Sequence, residues 1–171
     1  MRVKGIVLIV LIALLLASLG IAAPGKTSPA SQRAFQKMAS LAGDWEGKDE
    51  HGMLAKTNFK VVAANTAVME TLAAPGMEEM VTLYSVNGDK LSIIHYCPTN
   101  NQPHMEATPP EGEVKDLVFE FKDARNMASP AAGHQSKLAL RFDDADHFTE
   151  IWTWTQNGKD VLMTFHFARK K

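Results

Sequence analysis

A chain of 171 residues with 18 Lys and Arg against 19 Asp and Glu has no surplus of positive charge. That balance argues against nucleic acid or an anionic membrane surface as a partner, since both reward clustered cations. A single cysteine, Cys97, excludes an internal disulfide, so stability has to come from packing.

The N-terminus reads as an export signal. Arg2 and Lys4 precede an apolar run from Ile6 to Leu16, and small residues follow at Ala17, Ser18, Gly20, Ala22 and Ala23. Gly20 and Ala22 suit the small-residue positions before a cleavage point, which places the cut after Ala22, with a cut after Ala23 as the alternative. The uncharged stretch Gly5 to Gly25 spans 21 residues and would also suffice for an uncleaved anchor. Small residues and the Pro24-Gly25 break favour cleavage. No cysteine stands near the cut to carry a lipid. Removing Arg2 and Lys4 leaves 16 basic and 19 acidic residues, a net charge of −3. The expected organisation is a signal peptide over 1–22, a linker over 23–30, and one domain over 31–171. The expected destination is the periplasm or the medium, with no stable membrane insertion after cleavage.

A short amphipathic helix comes next, with Ser31 as N-cap, Phe35, Met38 and Leu41 on one face, and Gly43 as its stop. Its one apolar face suggests a lid laid on something larger. Strand-like runs then follow near 44–49, 55–64, 66–73, 79–86, 90–97, 103–108, 114–122, 136–143, 147–155 and 160–168. Asn-Gly at 87–88 and 157–158 predicts two tight hairpins. "FKDARNM" and "FDDADHF" predict looser turns built on Asp and Asn. Leu117, Phe119 and Phe121 alternate with Val118 and Glu120. Leu138, Leu140 and Phe142 alternate with Ala139 and Arg141. Val161, Met163, Phe165 and Phe167 alternate with Leu162, Thr164 and His166. One apolar face per strand and no intervening helix predict an all-β, antiparallel, up-and-down barrel of about 8–10 strands.

The segment "LAGDWEG" after a short helix resembles the opening of lipocalin-like (calycin) barrels, in which a Gly-x-Trp on the first strand closes the base against the helix. From about Leu41 to Lys171 the chain also resembles exported bacterial domains of unknown function with that fold. The pieces that carry this likeness are "VTLYSVNGDKLSIIHYCPTNNQPHM", "FEFKDARNM", "DADHFTEIWTW" and "FHFARK". The resemblance implies a fold and a pocket but no activity. Haem-binding barrels of the nitrobindin type also open on Gly-x-Trp and carry a histidine near the last strand, comparable in place to His166. Strand parity, however, sets His166 on the face of Thr164, opposite Phe165 and Phe167.

The candidate site residues are His95, Cys97, Gln102, His134, Glu150, Trp152 and Trp154. His95 and Cys97 are two apart on one strand and share the face of Leu91 and Ile93, so imidazole and thiol would enter the interior together. Such a pair suits a pocket wall, a soft metal or a thiolate–imidazolium nucleophile, and equally a buried polar residue beside a small hydrophobe. In "PTNNQP", Asn100 and Asn101 fit turn chemistry, whereas Gln102 has no turn preference and is a candidate hydrogen-bonding group. His134 and His147, with His95 and His104, would make a metal site only if the fold brought them together, because no compact ligand spacing joins them. Trp152 and Trp154 share a face with Phe148 and with Glu150. Burial among aromatic rings would raise the Glu150 pKa and suit it to act as an acid, unless Arg141 on the adjacent strand neutralises it. Met69, Met77, Met80 and Met105 offer soft thioethers, but their irregular spacing suits packing equally well. No motif implies a cofactor or a resident metal. The composition fits best an exported protein holding a small, largely apolar molecule in a barrel, with His95, Gln102 and His134 orienting it. The alternatives are an enzyme built on His95/Cys97 or Glu150, a haem or metal barrel using His95, His134 or His166, and a filled barrel acting only through its surface.

Overall fold

A computed structural model describes residues 26–171, so the expected signal peptide and cleavage point lie outside the described residues. Helix α1 (Pro29–Ala39) precedes ten strands. These are β1 (Gly43–Asp49), β2 (Leu54–Val62), β3 (Ala67–Ala73), β4 (Met80–Asn87), β5 (Lys90–Tyr96), β6 (Gln102–Ala107), β7 (Asp116–Arg125), β8 (His134–Phe142), β9 (His147–Gln156) and β10 (Lys159–Arg169). Every strand pairs antiparallel with its sequence neighbours, and β1 closes on β10 with Trp45 opposite Arg169. The result is a closed ten-strand barrel with no free sheet edge, as full closure provides.

Local chemistry sets the turns. At 157–158 both Asn157 (φ +51°) and Gly158 (φ +70°) adopt the left-handed backbone of a type I′ turn. The other hairpin is shifted by one residue from expectation. Asn87 pairs with Lys90, so the loop is Gly88-Asp89, and Gly88 alone (φ +63°) supplies the positive φ. The helix also begins earlier than Ser31. Ser28 is the N-cap, its Oγ accepting from Ser31 N at 3.0 Å, because Pro29 has no N–H to lose and its fixed φ suits the first helical position. Ser31 instead lies buried and donates its hydroxyl to the Gly88 carbonyl at 2.9 Å, tying α1 to the β4–β5 turn.

The helix therefore closes one end of the barrel, and the β3–β4, β5–β6 and β7–β8 loops surround the other. Beneath α1 the interior is filled with rings. Phe148 meets Trp45 edge-on at 4.8 Å and Phe59 at 5.7 Å, and stacks on Phe167 at 5.0 Å. Tyr84 and Phe119 continue the layer at 5.8 Å. The Gly-x-Trp closes the base as the calycin resemblance implies: Trp45 Nε1 donates to the Leu41 carbonyl at 2.7 Å. Arg169 reinforces this closure. Its guanidinium lies 4.1 Å over the Trp45 ring and donates to the Ser40 and Ala42 carbonyls, each at 3.0 Å. Alternation places Arg169 on the inward parity of Phe165 and Phe167, and the carbonyls beyond the end of α1 complete its partners.

Candidate functional site

Inward parity on three adjacent strands and one from the far wall brings a polar set into an otherwise apolar interior. β3 contributes Glu70, β4 contributes Thr82 and Tyr84, β5 contributes His95, and β9 contributes Glu150 and Trp152, all of them buried. Tyr84 Oη donates to Glu70 at 2.6 Å and Thr57 Oγ1 donates to its other oxygen at 2.9 Å. Trp152 Nε1 donates to Glu150 at 2.9 Å. The Glu70 and Glu150 carboxyls are both fully buried, and Glu150 Oε1 meets no hydrogen-bond partner. Burial raises the pKa of both, and the neighbouring Glu70 charge pushes Glu150 higher still.

Arg141 does not neutralise Glu150, contrary to one reading of the sequence. The β8–β9 register sets Arg141 opposite Thr149, and its guanidinium pairs with Asp143 at 2.9 Å on the outer wall.

His95 Nδ1 stands 2.9 Å from Thr82 Oγ1, which holds the ring in place. Nε2 is buried with no partner. Desolvation lowers the His95 pKa to about 4, so the ring is neutral at physiological pH.

Two connected spaces lie above this network at the open end. An apolar recess of about 380 Å³ is walled by Met77, Met80, Cys97, Trp154, Val161 and Met163. Beneath it is a small hollow of about 10 Å³ bordered by Met77, Met80, Met163, His95, Gln135 and Trp152, with Leu72 and Phe165 also lining it. Its floor is His95 lying against Trp152, ring centres 4.8 Å apart. The buried Gln135 Oε1 also lacks a partner.

The candidate residues divide accordingly. Cys97 and Trp154 wall the recess, while His95 and Trp152 border the cavity below. Glu150 sits deeper, in the carboxyl pair. Gln102 donates to the Asn100 carbonyl at 3.3 Å and borders neither space. His134 packs on Phe121 with ring centres 4.8 Å apart and hydrogen-bonds the Ala132 carbonyl at 2.8 Å, also away from both. Cys97 takes a hydroxyl from Thr99 at 3.0 Å and His95 takes Thr82, so no thiol–imidazole pair forms. His104 bonds Ser92 and Asp123, His147 bonds Asp144, and His166 bonds Thr149, each at about 3 Å and apart from the recess. Among the described residues no three His, Cys, Asp or Glu converge.

Gln135 was not foreseen in the sequence because a bulge between Gln135 and Lys137 shifts the parity of β8 by one and turns Gln135 opposite Trp154. Trp154 itself depends on Gly133. A Cβ there would stand 2.2 Å from the indole Cζ2, so Gly133→Ala is expected to displace Trp154 and change its fluorescence while costing about 1–3 kcal/mol in chemical denaturation.

Comparison with known proteins gives the fold alone. No protein-family model matches the sequence, and no curated protein matches it. Among solved structures, Rv2717c from M. tuberculosis is similar over 85% of this chain and 100% of that one, with a TM-score of 0.56 and 15% identity. A protein of unknown function from the DUF3598 family of Nostoc punctiforme covers 78% of this chain and 49% of its own, at a TM-score of 0.41 and 10% identity. The chain thus shares a closed antiparallel barrel with a known structure, an architecture consistent with ligand binding.

Proposed function

We propose that this is an exported binding protein that holds a small, largely apolar molecule in the recess at the open end of the barrel. The observation that carries the reading is the contrast between the two ends. Beneath α1 rings fill the interior, whereas the open end keeps an apolar hollow of about 380 Å³, within the size range of small-molecule sites. Trp154 and Val161 form one side of it, and Cys97 with Met77 and Met80 the other. Methionine side chains adapt their shape, which suits a recess that accommodates rather than selects sharply. Export rests on the charged, apolar and small-residue sequence of the first 22 residues.

Native mass spectrometry of the full chain from its own host is expected to show a co-purified organic molecule. An apolar fluorescent dye, 8-anilinonaphthalene-1-sulfonate, should bind with 1:1 stoichiometry and lose about tenfold in affinity in Trp154→Ala, as removal of an aromatic wall implies. Val161→Asp, at a rim position 56% exposed, should weaken it similarly without loss of stability. Dye binding unchanged by both substitutions would place the apolar site elsewhere.

A further inference from the structure

The cavity beneath the recess carries an inference beyond the binding of an apolar molecule. Its volume of about 10 Å³ is close to that needed by one water-sized sphere, so it takes a single atom or ion rather than an organic group. Three methionines, Met77, Met80 and Met163, come from the β3–β4 loop and from β4 and β10 to border this one space. His95 borders the same space, and its buried Nε2 has no hydrogen-bond partner. A water could hydrogen-bond Nε2 and Gln135, but thioethers offer it little, being weak acceptors and no donors. Thioether sulfur and neutral imidazole together are instead ligands for a soft monovalent metal. The indole of Trp152, bordering the same space, adds a face that attracts a cation. No carboxylate borders the cavity, so nothing in it favours a hard divalent ion.

We propose that the cavity between His95, Met77, Met80 and Met163 binds one soft monovalent cation, copper(I) under reducing conditions, through imidazole Nε2 and the thioether sulfurs. Cys97 walls the recess above without bordering the cavity, and it is the soft group a cation meets on the way in. Binding involves no change of oxidation state, and the neutral imidazole meets the metal through Nε2 with its one proton on Nδ1, directed at Thr82 Oγ1.

Silver(I), which has the same charge and softness without the redox chemistry, is the probe. Titrated into Cys97→Ser, it should bind with one equivalent, because the thiol is not one of the four ligands; wild type should take up a second equivalent at its free thiol. His95→Gln and the near-isosteric Met163→Leu should each lose at least the roughly tenfold affinity that loss of even an outer-shell partner causes. Methyl resonances of Met77, Met80 and Met163 should shift on binding, and that of the exposed Met53 should not. Silver bound in wild type but lost in Cys97→Ser would reveal a surface thiolate and overturn the proposal, as would unmoved methionine resonances. Met163→Leu, a half-buried and volume-conserving change, keeps the test decisive if His95→Gln fails to fold. Dye binding that survives the failure of silver would leave the apolar recess standing and remove only the cation.

Discussion

Glu150→Gln is expected to leave the barrel more stable than wild type above neutral pH and to flatten its pH dependence. In the wild type, burial and the nearby Glu70 charge hold the Glu150 pKa well above the usual carboxylate range, so folding at neutral pH holds a proton that an unfolded glutamate would have released. The folded pKa is raised, and the sign follows. The stabilisation is complete below the unfolded value of 4.5 and is lost as pH rises toward the folded pKa of Glu150. Across that window the loss approaches about 1.4 kcal/mol per pH unit. Glutamine at 150 has the same shape without the charge, and its carbonyl accepts from Trp152 Nε1. The mirror substitution behaves differently. Glu70 accepts hydroxyls from both Tyr84 and Thr57, and glutamine offers only one acceptor oxygen there. Glu70→Gln should therefore cost about 1–3 kcal/mol at every pH through an orphaned buried donor. Denaturant unfolding of both variants at about pH 5, 7 and 9 checks this asymmetry. Equal effects of the two substitutions, or a wild-type slope retained in Glu150→Gln, would mean that the proton is held elsewhere.

Glu70 shows how far such a network was legible in the sequence. The segment "AVMETLA" alternates, and its parity puts Glu70 inward between Val68 and Leu72, yet a charge on an apolar face is easily passed over as surface. All ten strands follow from alternation, because a closed sheet with a filled interior forces a two-residue rhythm on each of them. The guess that Arg141 reaches Glu150 failed on parity, since alternation with the buried Leu140 and Phe142 already turns the guanidinium outward. What alternation cannot supply is register and volume. The inward turn of Gln135 came from a one-residue bulge that leaves no local mark in "GHQSKL". A pocket along the whole interior was a guess about volume, and the Phe148, Trp45 and Phe167 cluster fills the space that a lipocalin-like barrel could have left open. His95 was readable as inward from Leu91 and Ile93, but not its company, because Met77 and Met163 lie far from it in sequence.

Trp45→Ala should be the most damaging single substitution, costing about 3–5 kcal/mol as other large-to-small aromatic changes in cores do. The indole is 1% exposed, fills the base of the barrel against Phe148, and bonds the Leu41 carbonyl, so its loss leaves a cavity and an orphaned acceptor together. Arg169 depends on the same ring. Its guanidinium sits over the Trp45 ring while donating to the Ser40 and Ala42 carbonyls just beyond the end of α1. A lysine at 169 supplies the charge but neither the stacking plane nor the fork, so Arg169→Lys should lose nearly as much as Arg169→Ala, about 1–3 kcal/mol. The two sites should also couple. Because Arg169 loses its stacking face once Trp45 is gone, the double variant Trp45→Ala/Arg169→Ala should be less destabilised than the sum of the singles, by about 0.5–3 kcal/mol. Denaturant melts of the four proteins measure that term. Strict additivity would show that Arg169 holds the helix end through its carbonyl bonds alone, and that closure of the base does not depend on the ring beneath it.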